Sequence, residues 1–358
     1  MALKVFEGFD HYNAAADFLA RTGFLQWQFP SAAPGITFPA GLTDYGKSVR
    51  WGQDNNIGAQ NLTVRAVFQD RNAEAFVGQR IKIGVGGADD FQITLVDTVS
   101  GLGQCYIFFN HNNYTIGLFS GTGTLLALSP NNSWTGNTNQ FIEIHFKIAT
   151  SGGILEVRQD NQVVVTYTGN TQRSTNAWCD ALDYHPSTGT FGMSGFITLD
   201  DLYYCDTTTG PGTTPANSYL SDVAVRPLFA IGNDSVSWTP LTGTNWEMID
   251  ETAMDGDTTY NSTSTVNNED RFNFQSLTGG VDLVYGLQVV GAYRKTDGGA
   301  HTIKQSVKSG STEDYGPDHQ VNTSYFYTID LWILNPDTGL NWTLAEINAM
   351  KAAYKLTS

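Results

Sequence analysis

Short segments in which apolar and polar residues alternate make up most of the chain. In residues 61–70, Leu62, Val64, Ala66 and Phe68 alternate with other positions, so one side of an extended segment is apolar. Similar segments follow at 79–85, 91–96, 104–110, 114–119, 124–129, 140–148, 153–159 and 162–167. Because each is short and bounded by Gly, Asn, Asp or Ser, they predict a β-sandwich.

The alternation is interrupted at a linker in the middle of the chain. Residues 207–216 are rich in Thr, Gly and Pro, which favour turns and loops. We therefore predict a first domain over 1–206, a linker over 207–216 and a second domain over 217–358. Within the first domain, Asp160-Asn161 separates two alternating segments and predicts a two-residue hairpin turn.

The second domain repeats the alternation and adds a helix near its end. Its strand-like segments are 221–228, 246–250, 271–277, 284–295, 301–310 and 325–334. Thr343 followed by Glu346 forms a capping box, which predicts a helix through Ile347, Met350 and Tyr354. The predicted fold class is all-β, with two β-sandwich (jelly-roll) domains and a short C-terminal α-helix.

Composition and charge exclude several function classes. Of the 358 residues 41% are hydrophobic, enough for sizeable cores, and the formal net charge of −16 repels phosphate backbones. Nucleic acid is therefore not an expected partner. The chain has no apolar stretch of the roughly 18 residues that span a bilayer, and its start does not resemble a signal peptide, so neither membrane insertion nor signal-peptide export is expected.

Cysteines and histidines do not form a recognisable site in the sequence. The cysteines are Cys105, Cys179 and Cys205, too few and too scattered for a disulfide framework, and there is no C-x-x-C motif. Buried free thiols are expected, with a Cys179–Cys205 bridge as the alternative. The six histidines are dispersed and include no H-E-x-x-H motif.

Several short motifs, in order along most of the chain, resemble tailed-phage virion structural proteins with a LamG-like (concanavalin A-like) jelly-roll domain. They are the opening Glu7-Gly8-Phe9-Asp10-His11-Tyr12 and the segments 142–160, 200–203, 220–225, 295–299 and 341–348. The resemblance implies a concanavalin A/LamG-like first domain. It also implies a non-enzymatic protein displayed on the virion surface, as a capsid decoration or a tail or fibre component. Its expected partners are other virion proteins and copies of itself, for example in a trimer, after synthesis in the host cytoplasm.

The same resemblance implies one candidate cofactor, a structural calcium ion. In jelly rolls of this kind the first and last strands lie together, and an acidic last strand often holds an ion. The matching residues are Glu7, Asp10, Asp200 and Asp201. Calcium takes six to eight oxygen ligands, and the adjacent Asp200 and Asp201 point to opposite faces of a strand, so only one of the two faces such a site. The alternative is that these carboxylates are solvated or bonded to turns.

Two tryptophans in polar loops are candidate glycan-stacking residues. Trp134 and Trp178 follow polar loop residues, and an exposed ring face stacks on the apolar C–H groups of a sugar. They carry the second function hypothesis, a carbohydrate-binding phage adhesin that recognises host glycans. The alternative for both residues is that they fill the core.

A polysaccharide depolymerase is the function that the sequence supports least. Laminarinase-type hydrolases share this sandwich and supply their two carboxylates from one strand as Glu-x-Asp-x-(x)-Glu. None of the nine glutamates here has an aspartate two positions later. Because glycoside hydrolysis requires two carboxylates across a cleft, we expect no enzymatic activity.

Overall fold

A computed structural model describes residues 3–21, 23–30, 35–43, 45–52, 63–84, 90–186, 195–209 and 217–358. Contacts divide the chain into two compact units. The first unit comprises residues 1–9, 24–209 and 216–225, and the second comprises 10–23 and 226–358 together with 210–215. Residues 210–216 of the predicted linker lie outside the described residues.

Two segments do not follow a single division of the chain at the linker. Residues 10–23 group with the second unit, where the Tyr327 hydroxyl donates to the backbone oxygen of His11 at 2.8 Å and the Tyr327 ring packs on Tyr12. Residues 217–225 group with the first unit, because they lie across one of its sheets.

The strands of the first unit pair in antiparallel order into two sheets. They are β1 (Leu3–Glu7), β2 (Leu25–Gln28), β3 (Val49–Gly52), β4 (Val64–Asn72), β5 (Glu74–Gly84), β6 (Phe91–Asp97), β7 (Leu102–Asn110), β8 (Thr115–Ser120), β9 (Leu125–Leu128), β10 (Gln140–Lys147), β11 (Gly153–Gln159), β12 (Gln162–Gly169), β13 (Cys179–Pro186) and β14 (Phe196–Asp206). Sheet I has the order β1-β14-β5-β10-β11-β12, with β3 also on β14, and sheet II has the order β2-β4-β13-β6-β7-β8-β9.

The two sheets pack face to face around an apolar core, as the alternation predicts. Phe68 of sheet II stacks on Tyr204 of sheet I with ring centroids 4.3 Å apart. The hydroxyl of Tyr184 in sheet II donates to Oε1 of Gln79 in sheet I at 2.6 Å, which satisfies two buried polar groups. The predicted all-β sandwich fold is therefore confirmed for this unit.

The predicted hairpin turn at Asp160-Asn161 is confirmed. It joins β11 to β12, and the two residues have φ values of 47° and 67°. Positive φ at both central residues is the geometry of a type I′ turn, which matches the twist of the flanking strands. Asn and Asp tolerate this left-handed conformation better than most residues.

The second unit is a smaller β structure. Its elements are α1 (Ala15–Leu19), β15 (Ala230–Ser235), β16 (Thr239–Pro240), a 3₁₀ helix (Asn245–Met248), β17 (Asn261–Ser262), β18 (Glu269–Phe274), β19 (Leu287–Tyr293), β20 (His301–Ser309), β21 (Thr312–Tyr315), β22 (His319–Val321), β23 (Phe326–Trp332), α2 (Leu344–Ala349) and β24 (Lys351–Leu356). A sheet ordered β15-β18-β24-β20-β21, with β22 on β20, packs against the β19–β23 pair. Val307 of β20 and Trp332 of β23 share one apolar cluster.

The C-terminal helix is shorter than predicted. The Thr343 side chain accepts the backbone N–H of Glu346 at 3.3 Å and completes the predicted capping box. Met350, however, has an extended backbone, and Tyr354 lies in β24 rather than in the helix. Two open strand edges, those of β18 and β20, pair with β24 and outweigh the helical spacing of the apolar residues.

Two further predicted strands of the second domain are wrong. Residues 221–228 form no strand, and most of 246–250 belongs to the 3₁₀ helix Asn245–Met248. Neither segment pairs with a neighbouring strand. The backbone of residues 221–228 bonds in part to side chains of sheet I. In residues 246–250 a capping box of Thr244 with Glu247 begins the 3₁₀ helix.

The expected state of the cysteines is confirmed. Cys105, Cys179 and Cys205 are all free and buried. Burial raises the pKa of the Cys105 thiol to about 12, so it behaves as an apolar side chain. Among the described residues, no helix is both long and apolar enough to cross a membrane.

Candidate functional site

The four acidic residues predicted to hold calcium are divided between the two units. Asp10 belongs to the second unit, whereas Glu7 lies on β1 of the first. Glu7 is buried, and its Oε1 accepts the backbone N–H of Phe9 at 2.9 Å. Asp200 is also buried, and its Oδ2 accepts the backbone N–H of Leu42 at 2.7 Å. These two carboxylates therefore serve backbone donors.

Asp201 lies in a β-bulge of β14 and pairs with an arginine. The register shifts between Asp200 and Tyr203, and Asp201 has a φ of 49°. Its Oδ2 accepts Nε of Arg80 at 3.0 Å, and its Oδ1 accepts the backbone N–H of Val225 at 2.7 Å. A guanidinium competes with a metal for these oxygens. The described residues hold no group of three or more His, Cys, Asp or Glu side chains placed for a metal. The calcium ion stays a prediction.

Trp134 is buried in the sandwich, and its predicted role as an exposed stacking ring is wrong. Its side chain is 2% exposed, and its indole N–H donates to the backbone oxygen of Thr115 at 3.2 Å. The ring meets Phe109 and Tyr114 edge-on, with centroids 5.9 and 5.2 Å away. The loop therefore turns the indole inward, where both its apolar body and its N–H are satisfied.

Trp178 is half-buried, and a cation lies over its ring. The guanidinium carbon of Arg71 is 5.7 Å from the ring centroid, a cation–π arrangement. The loop before β13 is held by Gln104, whose Nε2 donates to the backbone oxygen of Trp178 at 3.0 Å. Its Oε1 accepts the backbone N–H of Ser174, also at 3.0 Å. Glycan stacking on Trp178 stays a prediction, and the ring makes no contact with that of Trp134 among the described residues.

Three half-buried aromatic side chains form a cluster on the outer face of sheet II. Tyr106 and Phe108 alternate with inward-facing residues along β7, and Phe119 on β8 is the register partner of Tyr106. The rings of Tyr106 and Phe119 stack with centroids 4.9 Å apart and planes 3° apart. Phe108 meets Phe119 edge-on at 5.8 Å. We call Tyr106, Phe108 and Phe119 the aromatic platform.

A glycine makes room for the platform, and leucines extend it. A Cβ on Gly117 would lie 2.7 Å from Cε2 of Phe119, so the ring lies against the β8 backbone at this point. Leu125 and Leu128 on β9 are the register partners of Phe119 and Gly117, and they are 49% and 57% exposed. The rings of the aromatic platform and the two leucines therefore lie side by side on the outer face of sheet II.

A row of hydrogen-bonded polar side chains lies beside the platform on β6 and β13. Nε2 of Gln92 donates to Oγ1 of Thr94 at 2.8 Å, and Oγ1 of Thr94 is 3.1 Å from Nε2 of His185. Nδ1 of His185 lies 3.0 Å from the backbone oxygen of Pro186, which only accepts, so Nδ1 carries the proton and Nε2 accepts from Thr94. Burial lowers the pKa of His185, which keeps the ring neutral. We call Gln92, Thr94 and His185 the polar row.

An ion pair continues this polar side of the face. Arg65 on β4 donates to both oxygens of Asp183 on β13, at 2.6 and 2.8 Å. Asp183 is the register partner of Thr94, so the pair adjoins the polar row. The outer face of sheet II therefore changes across its strands from charged to polar, then aromatic, then aliphatic.

The sequence of β7 contains a sign of the aromatic platform. In residues 104–110 the side chains on both faces of the strand are apolar or aromatic. Tyr106 and Phe108 lie on one face, and Cys105, Ile107 and Phe109 lie on the other. Such a strand is read as buried on both faces. The outer row becomes visible only once β7 is known to have solvent on one side.

The outer face of sheet I is covered by the chain itself. Residues 219–225, which we call the strap, cross it without forming a strand. The ring of Tyr219 meets Phe76 edge-on at 4.8 Å, and the guanidinium of Arg158 lies 3.8 Å from the Tyr219 ring centroid. The Tyr219 hydroxyl donates to Oε1 of Glu156 at 2.9 Å. Tyr219 thus anchors one end of the strap.

The middle of the strap buries a glutamate. The backbone N–H of Leu220 donates to the Tyr203 hydroxyl at 3.0 Å, and that of Ser221 donates to Oε1 of Glu143 at 2.9 Å. The Tyr203 hydroxyl donates to the same oxygen. Glu143 is 1% exposed, and its Oε2 contacts no hydrogen-bond donor in the described part of the chain. Loss of solvent raises the pKa of Glu143.

The other end of the strap is held by Arg80. Its guanidinium pairs with both Asp201 of β14 and Asp222 of the strap. The backbone N–H of Val225 donates to Oδ1 of Asp201 at 2.7 Å. Two sites on the sheet therefore hold the strap by ionic or charge-assisted contacts.

Comparisons with known proteins show a similarity of fold only. No family model and no curated protein matches the chain. Among solved structures it is similar to a Bacillus licheniformis beta-glucanase (13% identity, 58% of this chain and 99% of that one, TM-score 0.38). It is also similar to a Lotus tetragonolobus seed lectin (8%, 57% and 100%, 0.35) and to the carbohydrate binding module CBM66 from Bacillus subtilis (11%, 50% and 91%, 0.29). Because these structures superpose only in part and share little sequence with the chain, they give no evidence about its function.

Proposed function

We propose that the first unit is a carbohydrate-binding module that holds an extended glycan on the outer face of sheet II. The observation that carries the proposal is the aromatic platform, three half-buried rings beside a polar row on one accessible sheet face. Adjacent strands lie about 4.8 Å apart, so the four strands from β13 to β8 span about 14 Å. This is the length of a short oligosaccharide rather than of one sugar.

The two halves of this face match the two kinds of group on a sugar. The face of an aromatic ring is electron-rich, so it attracts the C–H groups on the flat side of a pyranose. A stacked pair such as Tyr106 and Phe119 covers only one face of each ring. The amide oxygen of Gln92 has no partner among the described residues, so it is free to accept a sugar hydroxyl next to the rings.

Features of the other sheet support binding without cleavage. Glu143 and Glu156 on sheet I each have an oxygen engaged by the strap, through Ser221 and Tyr219. Hydrolysis requires two carboxyl groups that face the scissile bond across an open cleft. With the strap in place, neither glutamate faces solvent freely.

The proposal is tested with a panel of immobilised oligosaccharides that covers β-glucans, chitin-type chains and bacterial capsule fragments. Loss of one stacking ring costs about 1–2 kcal/mol, which is roughly a tenfold change in affinity. We expect Tyr106→Ala and Phe119→Ala to weaken binding to any retained glycan about tenfold. Tyr260→Ala, which removes an exposed aromatic side chain of the second unit, is the matched control. Equal binding by all three variants, or no binding across the panel, would contradict the proposal.

We further propose, on the sequence motifs alone, that this module is displayed on a phage particle as a capsid decoration or a tail or fibre component. Quantitative mass spectrometry of purified particles tests this placement. Hundreds of copies per particle would support capsid decoration, a few copies would support a tail or fibre, and absence from particles would refute both.

A further inference from the structure

We infer that the outer face of sheet I is a peptide-docking surface and that a second copy of this chain is its partner, through exchange of the strap. In the structure the surface holds the strap of its own chain. The contacts that hold the strap show what the surface recognises, and every copy of the chain carries the same segment.

The sheet recognises the strap mainly with side chains. Three strap N–H groups, those of Leu220, Ser221 and Val225, donate to the Tyr203 hydroxyl and to the carboxylates of Glu143 and Asp201. None of these contacts is a strand ladder, so docking adds no strand to the sheet. An extended peptide that presents the same N–H groups satisfies the same acceptors, whichever chain supplies it.

Two side chains give the surface its selectivity. Tyr219 fits between the Phe76 ring and the Arg158 guanidinium, and Asp222 pairs with Arg80. An aromatic residue and an acid three positions later are therefore required of the docked segment. Both anchors are charge-assisted or aromatic contacts, the types that dominate the binding energy of interfaces.

The attachment of the strap permits exchange. Twelve residues, 207–218, separate the end of β14 from Tyr219, and they are rich in Thr, Gly and Pro. Phe76, which Tyr219 contacts, is the register partner of Cys205 near the end of β14. An extended chain of twelve residues spans up to about 40 Å, so its length does not restrict the strap to its own chain. Exchange of an identical element between copies makes the same contacts again.

The closed surface also has a weak point that lets the strap leave. Glu143 is buried beneath the strap, and its Oε2 contacts no donor among the residues that the structure describes. A buried carboxylate oxygen without a partner costs free energy that is recovered when the strap departs and water enters. The strap can thus be displaced while the β-sandwich stays folded.

Mass action sets when exchange occurs. Covalent attachment to the same chain gives the strap an effective concentration on the order of millimolar. Free copies in dilute solution therefore keep their own straps, whereas disabling the strap of one copy leaves its surface open to another. This difference makes the inference testable with two variants.

The first variant is Tyr219→Ala/Asp222→Ala, which keeps the surface but disables the strap. The second is Arg80→Ala/Arg158→Ala, which keeps the strap but disables the surface. We expect each variant alone to be monomeric by light scattering and an equimolar mixture to contain heterodimers. The synthetic peptide of residues 217–226 is expected to bind the first variant and to dissociate the heterodimers.

A direct titration keeps the test decisive if the second variant folds poorly. The peptide 217–226 is titrated into the first variant, with a peptide that carries the Tyr219→Ala change as the matched control. At least tenfold tighter binding of the native peptide supports a peptide-docking surface. Absence of peptide binding overturns the inference. Peptide binding without heterodimers, at concentrations above the peptide Kd, overturns the second copy as the partner. Glycan binding by the first variant is an independent readout, because the aromatic platform lies on the other sheet.

Discussion

The outer faces of the two sheets of the first unit differ in what their outward side chains are used for. On sheet I these side chains include charged ones such as Arg80 and Glu143, and the strap covers and contacts them. On sheet II they change from charged to aromatic, and the aromatic platform remains accessible. The same alternation thus produces one face that is closed by the chain itself and one that is open to a ligand. A sandwich fold alone does not show which of its outer faces is open to a ligand, because this depends on which face another segment of the chain covers.

The largest effect in this comparison is expected from Arg80→Ala. The guanidinium pairs with the buried Asp201 and holds Asp222 of the strap. Removing one partner leaves a buried charge unpaired, which costs about 3–5 kcal/mol. We expect the free energy of unfolding in urea to fall by this amount. Lys82→Ala, on the same strand and face, is the control, and a loss of less than 1 kcal/mol for Arg80→Ala would show that the strap is not held as described.

Protonation of Asp97, at the end of β6 in sheet II, is expected to lower the free energy of unfolding by about 2 kcal/mol at acidic pH. Burial acts to raise its pKa, but hydrogen bonds from Ser100, Ser174 and Asn176 outweigh it and lower the pKa to about 2. A lowered pKa adds stability above the ordinary value of 3.8, and this stability disappears as the pH falls toward 2. Unfolding measured from pH 5 to pH 2 checks it, with Asp97→Asn expected to lose this part of the pH dependence. An identical pH profile for the variant would refute it.

Sheet I should show the opposite sign of pH dependence. The strap raises the pKa of Glu143 by excluding solvent, so docking is fully favourable below the ordinary value of 4.5 and weakens as the pH rises through the raised value. The groups that face Glu143 include Tyr203 and Cys205 from β14, Arg158 from β11 and Tyr219 from the strap. Glu156, which also contacts the strap, has the opposite shift: burial acts to raise its pKa, but hydrogen bonds from Tyr219 and Arg158 outweigh this and lower the pKa.

The measurement is the affinity of the peptide 217–226 for the Tyr219→Ala/Asp222→Ala variant at several pH values. We expect weaker binding as the pH rises, and a flatter profile after the further change Glu143→Gln. Comparison with the glutamine variant also separates the contribution of Glu143 from that of Glu156, whose pKa is shifted in the opposite direction. Stronger binding with rising pH would contradict the described burial of Glu143.

The smallest effect is expected from Gln92→Ala in the polar row. A single hydrogen bond to a neutral sugar hydroxyl contributes about 0.5–1.5 kcal/mol, so glycan affinity should fall severalfold, and less than for Tyr106→Ala. Titration calorimetry with the tightest glycan of the panel checks the order of the two variants. The reverse order would place the sugar on the polar row rather than over the rings.

How far the sequence reaches depends on whether a feature is local. The strands of the first unit and the Asp160-Asn161 turn follow from alternation and turn chemistry within a few residues. The pairing of Asp201 with Arg80 could not be predicted, because the two residues are 121 positions apart in the sequence. Trp134 lies in a polar loop, and the loop path that turns its indole inward is not encoded in the neighbouring residue types.

The strap shows the same limit most clearly. Its alternating residues predict a strand over 221–228, yet the partner of this segment is the side-chain surface of sheet I rather than another strand. Alternation reports that a segment has two different sides. It does not report whether the contact is made by a backbone ladder or by side chains such as Glu143 and Tyr203.

The most direct test of this account is a glycan titration of three proteins: the native chain, Tyr106→Ala, and Tyr219→Ala/Asp222→Ala. If the open face of sheet II binds the glycan, Tyr106→Ala binds about tenfold more weakly and the strap variant binds like the native chain. If instead the strap variant binds more tightly than the native chain while Tyr106→Ala is unchanged, the glycan binds beneath the strap on sheet I, and the central claim is wrong.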